Sequence, residues 1–209
     1  MIRSMIKIWI LGDIGSGKSL LAKQFGYPVF NADEEVTKIY KADNSCFKKL
    51  NKILPNYIKS RPIKKKELSR AILENKSSLK KIVKIVHPLV RKRMRKFFKN
   101  NYKKKMVIID VPLLIENKLH NKNFILVFVD AKKSKIIRNL KKRRNYNKYL
   151  LKNLRKLQKP IKIKKKLSHY VIKNNFNLLS LKNNVKLLKN RILNERNSTW
   201  YRNYRFISQ

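Results

Sequence analysis

A glycine-rich loop between a short apolar segment and a helical segment is the feature that most constrains the fold of this chain. Residues 6–11 read IKIWIL, a β-branched run that is typical of a buried strand. The next residues, GDIGSGKS at 12–19, satisfy the pattern G-x-x-x-x-G-K-[ST], and residues 18–25 have the composition of a helix that ends before Gly26. A strand, this loop and a helix in that order predict a loop that wraps around a phosphate group.

Each residue type in this loop has a chemical reason. Glycines allow the backbone to turn inward so that several N–H groups face one phosphate, and the helix N-terminus adds partial positive charge. The ammonium group of Lys18 is expected to neutralise phosphate charge, and the hydroxyl of Ser19 is expected to be a ligand of Mg²⁺.

The rest of the chain alternates between short apolar runs and longer helical segments. Strands are predicted at 28–30, 106–110, 124–130 and 170–172. Helices are predicted from residue 33 to about 40 and at 134–143, 148–157 and 178–196, with a mostly helical, basic block at 44–103 broken by Pro55, Pro62 and Pro88. Buried strands that alternate with helices predict an α/β fold with a parallel sheet covered on both faces.

Three aspartates lie at or just after the ends of predicted strands, and two of them have a functional interpretation beside a structural one. Asp33 is expected either to accept a proton from an attacking hydroxyl, to hold Mg²⁺ through water, or simply to cap the helix that follows it. Asp110 is either a carboxylate near the metal, as in a Walker-B strand, or a cap at a strand end. Asp130 is more simply explained as a turn residue.

Two further features have a structural explanation beside a functional one. His87, in the sequence HPLV at 87–90, interrupts a helical run, and a lone histidine is more often packed or hydrogen-bonded than a ligand. The basic connector at 159–166 is by default a solvated surface. Beside a phosphate site, the same connector can instead close as a lid that brings cations to the transferring group.

Composition limits the class of protein. The chain has 209 residues, of which 43% are hydrophobic, so that a sizeable core is possible and wholly disordered classes are excluded. A single cysteine, Cys46, cannot form an internal disulfide, and no apolar run approaches the about 20 residues that a membrane span needs. We therefore expect a soluble, cytoplasmic protein.

The formal net charge of +44 is unusually high for a chain of this length. Such a charge normally suggests a polyanion partner. However, Lys, Asn and Ile, which all have A/T-rich codons, are frequent throughout the chain, and Asn alone occurs 23 times. We favour this compositional bias over a nucleic-acid role, because the lysines are scattered along every predicted helix.

Further motifs follow the loop along the chain. They are NAD at 31–33, HPLV at 87–90, DVPLLIE at 110–116, RRN at 143–145, QKPI at 158–161 with Lys164, and YVIKN at 170–174. In this order they resemble the dephospho-CoA kinase family, which reads D-A-D, H-P, D-x-P-L-L-x-E, R-[DN] and Q-x-P-L…K…A-D-Y-V-I-D-N. The loop alone occurs in many kinases, whereas the combination is much more specific.

The resemblance implies ATP-dependent phosphorylation of the ribose 3′-hydroxyl of dephospho-CoA, giving coenzyme A and ADP, with Mg²⁺ required. It makes Asp33 the general base and Lys18 the second catalytic residue, and it makes Ser19 the metal ligand. Residues expected to contact ATP are Gly12, Ile14, Gly15, Ser16, Gly17, Lys18, Ser19, Leu20 and Arg143, the last against the adenine. Residues expected to contact the acceptor are His87, Asp110 and the lid residue Lys164.

The resemblance also implies the three-layer α/β fold of P-loop kinases, with a parallel sheet, a helical substrate-binding insert and a small lid. We expect a single domain at 5–205, with its core at 5–33, 105–140 and 168–205. The insert is expected at about 34–104 and the lid at about 143–167. The expected partners are ATP and dephospho-CoA, without a specific nucleic acid or a membrane.

Two alternatives explain part of the sequence. Another P-loop kinase of nucleotides or small molecules accounts for the loop, but not for residues 110–116 or 158–174. A basic nucleic-acid-binding protein accounts for the charge alone. The chain also departs from the family at Asp13 and Leu20, where Gly and Thr are usual, and at Asn31 and Lys173, where acids are usual. Because the loop pattern allows any residue at positions 13 and 20, we expect little harm there.

Overall fold

The computed structural model describes residues 5–111, 124–143, 146–156 and 158–197. Its strands are β1 (Ile6–Gly12), β2 (Val29–Asn31), β3 (Met106–Asp110), β4 (Phe124–Asp130) and β5 (Tyr170–Lys173). Its helices are α1 (Lys18–Gln24), α2 (Ala32–Ala42), α3 (Asn44–Ile53), α4 (Lys65–Glu74), α5 (Lys76–Asn100), α6 (Lys133–Lys141), α7 (Lys148–Lys156), α8 (Ile161–Lys166) and α9 (Leu178–Asn197).

The strands form one sheet in the order β2-β3-β1-β4-β5, with β1 at the centre. β1 pairs in parallel with β3 and β4, and β4 pairs in parallel with β5. A central strand of a parallel sheet is covered on both faces, and accordingly Ile8, Trp9 and Ile10 are fully buried. The carboxyl ends of β1, β3 and β4 therefore lie at the same edge of the sheet. The predicted α/β fold class is confirmed.

Alternate residues of β1 anchor the helix that follows the glycine-rich loop. Ile6, Ile8 and Ile10 belong to one buried cluster on a single face of the sheet. The same cluster contains Leu21, Ala22 and Phe25 of α1 and Leu181, Val185, Leu188 and Ile192 of α9. Full burial of one such aliphatic or aromatic side chain contributes about 1.5–3 kcal/mol. Both ends of the loop at 12–19 are consequently fixed to the core.

Helix α5 is continuous from Lys76 to Asn100, so the expectation that His87 and Pro88 break the helix is wrong. Proline lacks the N–H that would bond to the carbonyl four residues earlier, which disfavours it inside a helix. A row of buried apolar side chains nevertheless continues past Pro88 along one face of α5, comprising Leu79, Ile82, Val86, Val90 and Met94. Burial of this row offsets the lost hydrogen bond.

The segment at 159–166, expected to be a connector, contains the short helix α8. Pro160 is its N-cap residue, and its carbonyl accepts hydrogen bonds from Ile163 N and Lys164 N, both near 3 Å. The fixed φ of proline suits the start of a helix. The basic composition of the segment nevertheless favours the prediction of a solvated connector. Residue 157, just before it, lies outside the described residues.

The chain forms two compact units. The first consists of Met1–Val29, Lys104–Tyr146 and Gln158–Gln209, and the second of Phe30–Lys103 and Asn147–Leu157. Residues 147–157, expected in the lid, thus belong to the second unit, and residues from 158 onward belong to the first. The division into core, insert and lid stays a prediction. Within the described ranges, no helix has the length and apolar character that crossing a membrane requires.

Candidate active site

The phosphate loop, residues 12–19, joins the carboxyl end of β1 to the N-terminus of α1 in the first unit. Its residues Gly15 and Gly17 have φ values of 84° and 91°, in the left-handed region that favours glycine. Gly17 is the N-cap residue of α1, and no side chain among the described residues caps this helix. The N–H groups of the first turn are therefore not taken by a side-chain cap and suit an anion.

Close packing beneath the loop also requires glycine at position 15. A Cβ atom built on Gly15 would lie 2.8 Å from Cγ of Leu140, a buried residue of α6. Because this distance is far below a van der Waals contact, any larger residue would push the loop away from α6. The loop is thus packed against α6, the helix that follows β4.

Several hydrogen-bonding groups of the loop are engaged within it. Ser16 N donates to the carbonyl of Asp13 at 3.2 Å, and Lys18 Nζ donates to the same carbonyl at 2.7 Å. Ile14 N donates to Oδ1 of Asp13 at 2.7 Å. Of the expected ATP contacts, the N–H groups of Ile14 and Ser16 are therefore directed into the loop itself.

Ser16 gives a local test of whether the loop fits a polar ligand. Its side chain is fully buried, yet Oγ has no hydrogen-bond partner among the described residues. A buried hydroxyl without a partner costs free energy, so such groups usually have a functional or solvent partner. Together with the α1 N-terminus and the ammonium group of Lys18, this unsatisfied hydroxyl fits a phosphate-bearing ligand.

Asp13 places a carboxylate beside the predicted phosphate site. The residue is 8% exposed, and its side chain accepts the N–H of Ile14 that the loop could offer to a ligand. We expect Asp13→Gly to lower the Kd for ATP about three- to tenfold, because it removes a repulsive charge and releases an amide donor. Calorimetric titration with ATP and Mg²⁺ measures this change.

The variant Asp13→Asn separates the two causes, because an amide oxygen still accepts the Ile14 N–H without the charge. An affinity gain in both variants identifies repulsion as the main cause. Unchanged or weaker ATP binding by Asp13→Gly would show that the carboxylate does not oppose the nucleotide.

Ser19 and Asp110 bring two oxygen ligands together within the first unit. The hydroxyl of Ser19, in the first turn of α1, donates to Oδ2 of Asp110 at 2.5 Å. Asp110 ends β3 and is 3% exposed. A hydroxyl beside a carboxylate is the donor set that Mg²⁺ takes when phosphate oxygens and water complete its shell. These two residues therefore fit a magnesium ion, and residues 112–116 of the same motif lie outside the described residues.

The other residues expected at the nucleotide, and Lys164, expected at the acceptor, differ in exposure. Leu20 is 42% exposed on α1, and Arg143 is exposed just after the C-cap of α6. Arg144 and Asn145 lie outside the described residues. Lys164 is buried at 1% exposure, and its Nζ donates to Oε1 of Gln158 at 2.7 Å. Lys164 is thus packed against its own segment, and the predicted roles of Arg143 and Lys164 toward ligands stay predictions.

The second unit contains a cavity of about 420 Å³ at the N-terminal end of α2. Asp33, expected to be the general base, lines it together with Asn31, Glu34, Val36, Thr37, Tyr40 and Lys65. The lysine was not identified from sequence, because a single cation in a basic chain carries no signal. The cavity is large enough for part of a small-molecule substrate.

Asn31, not Asp33, caps helix α2. Its Oδ1 accepts the N–H of Asp33 at 2.9 Å and that of Glu34 at 3.2 Å. The interpretation of Asp33 as a helix cap is therefore wrong. The carboxylate of Asp33 is therefore not used to cap α2, and Asp33 is exposed at the cavity.

We expect Asn31→Ala to lower the free energy of unfolding by about 1 kcal/mol, because α2 loses its cap. Asn31→Asp, which restores the acid usual in the family, should stay within about 0.5 kcal/mol of the original chain because Asp caps as well as Asn. Urea denaturation followed by circular dichroism measures both. An equal loss in the two variants would mean that the capping bonds do not contribute to stability.

An ion-pair cluster holds α2 against α5 in the second unit. Glu35 accepts hydrogen bonds from Lys38 at 2.6 Å and from Arg93 at 3.0 Å. Burial acts to raise the pKa of Glu35, but the bonds and charges of the two cations outweigh it and the pKa is lowered. His87 lies half-buried on α5 in the same unit, and its predicted contact with the acceptor stays a prediction.

The chain is similar to known proteins over most of its length. Residues 6–180 match the family model described as Dephospho-CoA kinase. The dephospho-CoA kinase of Wolbachia sp. subsp. Brugia malayi (strain TRS) is 31% identical over 170 residues, which cover 79% of this chain and 87% of that protein.

Solved structures give the same fold. The crystal structure of TT1252 from Thermus thermophilus has a TM-score of 0.72 at 24% identity and covers 91% of this chain and 99% of its own. Dephospho-CoA kinase from Campylobacter jejuni has a TM-score of 0.60 at 20% identity, covering 89% and 96%. At these identities the likeness supports the fold alone. The family match runs from β1 into α9 and includes the phosphate loop, Asp33 and Asp110, so the chain belongs to the dephospho-CoA kinase family.

Proposed function

We propose that this chain carries out its family's reaction with Asp33 as general base and with the phosphate loop, Ser19 and Asp110 as the nucleotide and metal site. The reaction is the ATP-dependent phosphorylation of dephospho-CoA, the final step of coenzyme A synthesis, and the chain is a phosphotransferase of this kind. The observation that carries the assignment of the base is the capping of α2 by Asn31, which leaves the Asp33 carboxylate exposed at a cavity.

The loop binds the ATP phosphates by position and charge. The N–H groups at the start of α1 donate to phosphate oxygens, and Lys18 exchanges its bond to the Asp13 carbonyl for one to a phosphate. Phosphoryl transfer needs little covalent chemistry from the protein, so this positioning supplies much of the catalysis. Arg143 is proposed to lie against the adenine.

Ser19 and Asp110 are proposed to hold Mg²⁺ at the phosphates. When bound, the ion supplies positive charge that neutralises the phosphate oxygens during transfer. The short bond between the two side chains keeps their oxygens adjacent before any ion arrives, which lowers the cost of assembling the site.

Asp33 is proposed to take the proton of the ribose 3′-hydroxyl while that oxygen attacks the γ-phosphorus and the bond to the β-phosphate oxygen breaks. The proton moves to the carboxylate, and ADP leaves with the bond's electron pair. Lys65, in the same cavity, is proposed to bind an acceptor phosphate. His87 and Lys164 are proposed to contact the acceptor as well, and the protein is proposed to act in the cytoplasm.

Coupled ADP release tests this function. The assay compares dephospho-CoA with adenosine, AMP and shikimate in the presence of ATP and Mg²⁺. We expect ADP formation that depends on dephospho-CoA, because the family assignment names that acceptor. Turnover with a different acceptor alone would retain the phosphate loop and overturn the substrate, whereas folded protein without any turnover would overturn the activity.

A further inference from the structure

Asn174 is a buried polar residue whose contacts lead directly to the phosphate loop. It follows the end of β5 and is 3% exposed. Its backbone N donates to the carbonyl of Asp130 at the end of β4, at 2.7 Å. The backbone of Asn174 is therefore fixed to the sheet, and its side chain projects from a rigid base.

Both ends of the Asn174 amide are hydrogen-bonded. Nδ2 donates to the carbonyl of Ser16 in the phosphate loop at 2.8 Å. Oδ1 accepts the N–H of Phe176 at 2.9 Å, in a turn where Phe176 has a φ of 65°. The second bond supports the turn into α9, but the first spans 158 positions of sequence and serves the loop.

The bond to Ser16 determines the direction of the next amide in the loop. In a trans peptide the C=O and the following N–H point in opposite directions. When the Ser16 carbonyl faces Asn174, the N–H of Gly17 faces away from it. Gly17 is the N-cap residue of α1, where donors are expected to face a phosphate.

The amide also fits closely against Gly17. A Cβ atom built on Gly17 would lie 2.3 Å from Nδ2 of Asn174, so the amide occupies the space that a side chain at position 17 would need. The Ser16–Gly17 peptide is thus held by a hydrogen bond and by direct packing, both from one residue outside the loop.

We propose that Asn174 is a positioning residue of the phosphate loop, which turns the Gly17 N–H toward the nucleotide phosphates. The inference rests on the proposed function only in taking a nucleotide as the ligand of the loop. It goes beyond that function because it gives the end of β5 a part in nucleotide binding.

The test compares Asn174→Asp with Asn174→Ala by titration of each protein with ADP and Mg²⁺. Aspartate keeps the acceptor for Phe176 N–H but replaces the donor to Ser16 with an oxygen that repels the carbonyl. Alanine removes both bonds without adding charge. We expect both variants to weaken ADP binding about tenfold or more, because the Gly17 amide loses its fixed direction.

Asn177→Asp is the matched control. Asn177 is exposed in the same turn, and its Oδ1 accepts the N–H of Ser180 at 2.9 Å, a bond that aspartate keeps. This variant adds the same charge nearby and should bind ADP as the original chain does. Loss of affinity in the control equal to that in Asn174→Asp would overturn the proposal, since charge alone would then explain the effect.

Thermal unfolding and steady-state kinetics separate positioning from a structural role. A purely structural role predicts lower Tm with unchanged ADP affinity in Asn174→Ala, and this result would overturn the proposal. A positioning role predicts a raised KM for ATP with an unchanged KM for dephospho-CoA at saturating ATP. If the original chain binds ADP but does not phosphorylate dephospho-CoA, the acceptor assignment fails, and the ADP affinities alone still decide the role of Asn174.

Discussion

Replacing Asp33 by Asn should reduce kcat about 10²- to 10⁴-fold, the range that removal of a general base typically costs. The amide is nearly isosteric but cannot take the proton of the ribose hydroxyl. Because Asn31 caps α2 through its own side chain, the substitution leaves the helix N-terminus intact. The KM for ATP should therefore change little, and coupled ADP release at saturating dephospho-CoA measures the loss.

Asp43→Asn is the matched control for this experiment. Asp43 caps α3 by accepting the N–H of Cys46 at 2.8 Å, and asparagine caps a helix about as well. Both substitutions thus remove one carboxylate at the start of a helix in the second unit, but only one of them alters the cavity. An Asp33→Asn enzyme with near-normal kcat, or an equal loss in the control, would exclude Asp33 as the base.

The phosphate loop and the strands follow from local patterns in the sequence. Continuous apolar runs predict buried parallel strands because both faces of such a sheet are covered. The loop pattern specifies glycines at positions whose conformation and packing require them, as Gly15 illustrates through its φ of 84° and its contact with Leu140. These features are predictable because each depends on residues that are close in sequence.

The continuation of α5 through Pro88, by contrast, does not follow from residues that are close in sequence. Its stability depends on burial of Val86, Val90 and Met94 against other helices, which sequence periodicity suggests but a proline obscures. Lys164 is a similar case, because a lysine in a basic segment looks solvated until the fold buries it beside Gln158. Tertiary contacts determine both the continuity of α5 and the burial of Lys164, and these contacts cannot be read from local sequence patterns.

The site was only partly predictable for the same reason. Asp33 and Asp110 are predictable because acids are rare in this chain and each lies at or just after the end of a strand. The cap supplied by Asn31 was missed, although asparagine before a helix is a common signal. Asn174 lay within a recognised motif, but its bond to Ser16 joins two distant segments and carries no local pattern.

Asp110→Asn should raise the Mg²⁺ concentration needed for half-maximal activity about 10- to 100-fold, as loss of a residue that holds or orients a metal typically does. Asparagine can still accept the Ser19 hydroxyl, so the connection between α1 and β3 survives and the protein should fold. Activity titrated with Mg²⁺ at fixed ATP measures the shift, and partial recovery at high Mg²⁺ is expected.

Asp130→Asn provides the comparison for this prediction, since Asp130 ends β4, which lies on the other side of β1 from β3. Its side chain is 38% exposed and pairs with Lys165 at 2.7 Å, a surface contact worth about 0–1 kcal/mol. The Mg²⁺ requirement of this variant should therefore equal that of the original chain. If Asp110→Asn lowers activity by the same factor at every Mg²⁺ concentration, the carboxylate supports the loop through Ser19 instead of holding the ion.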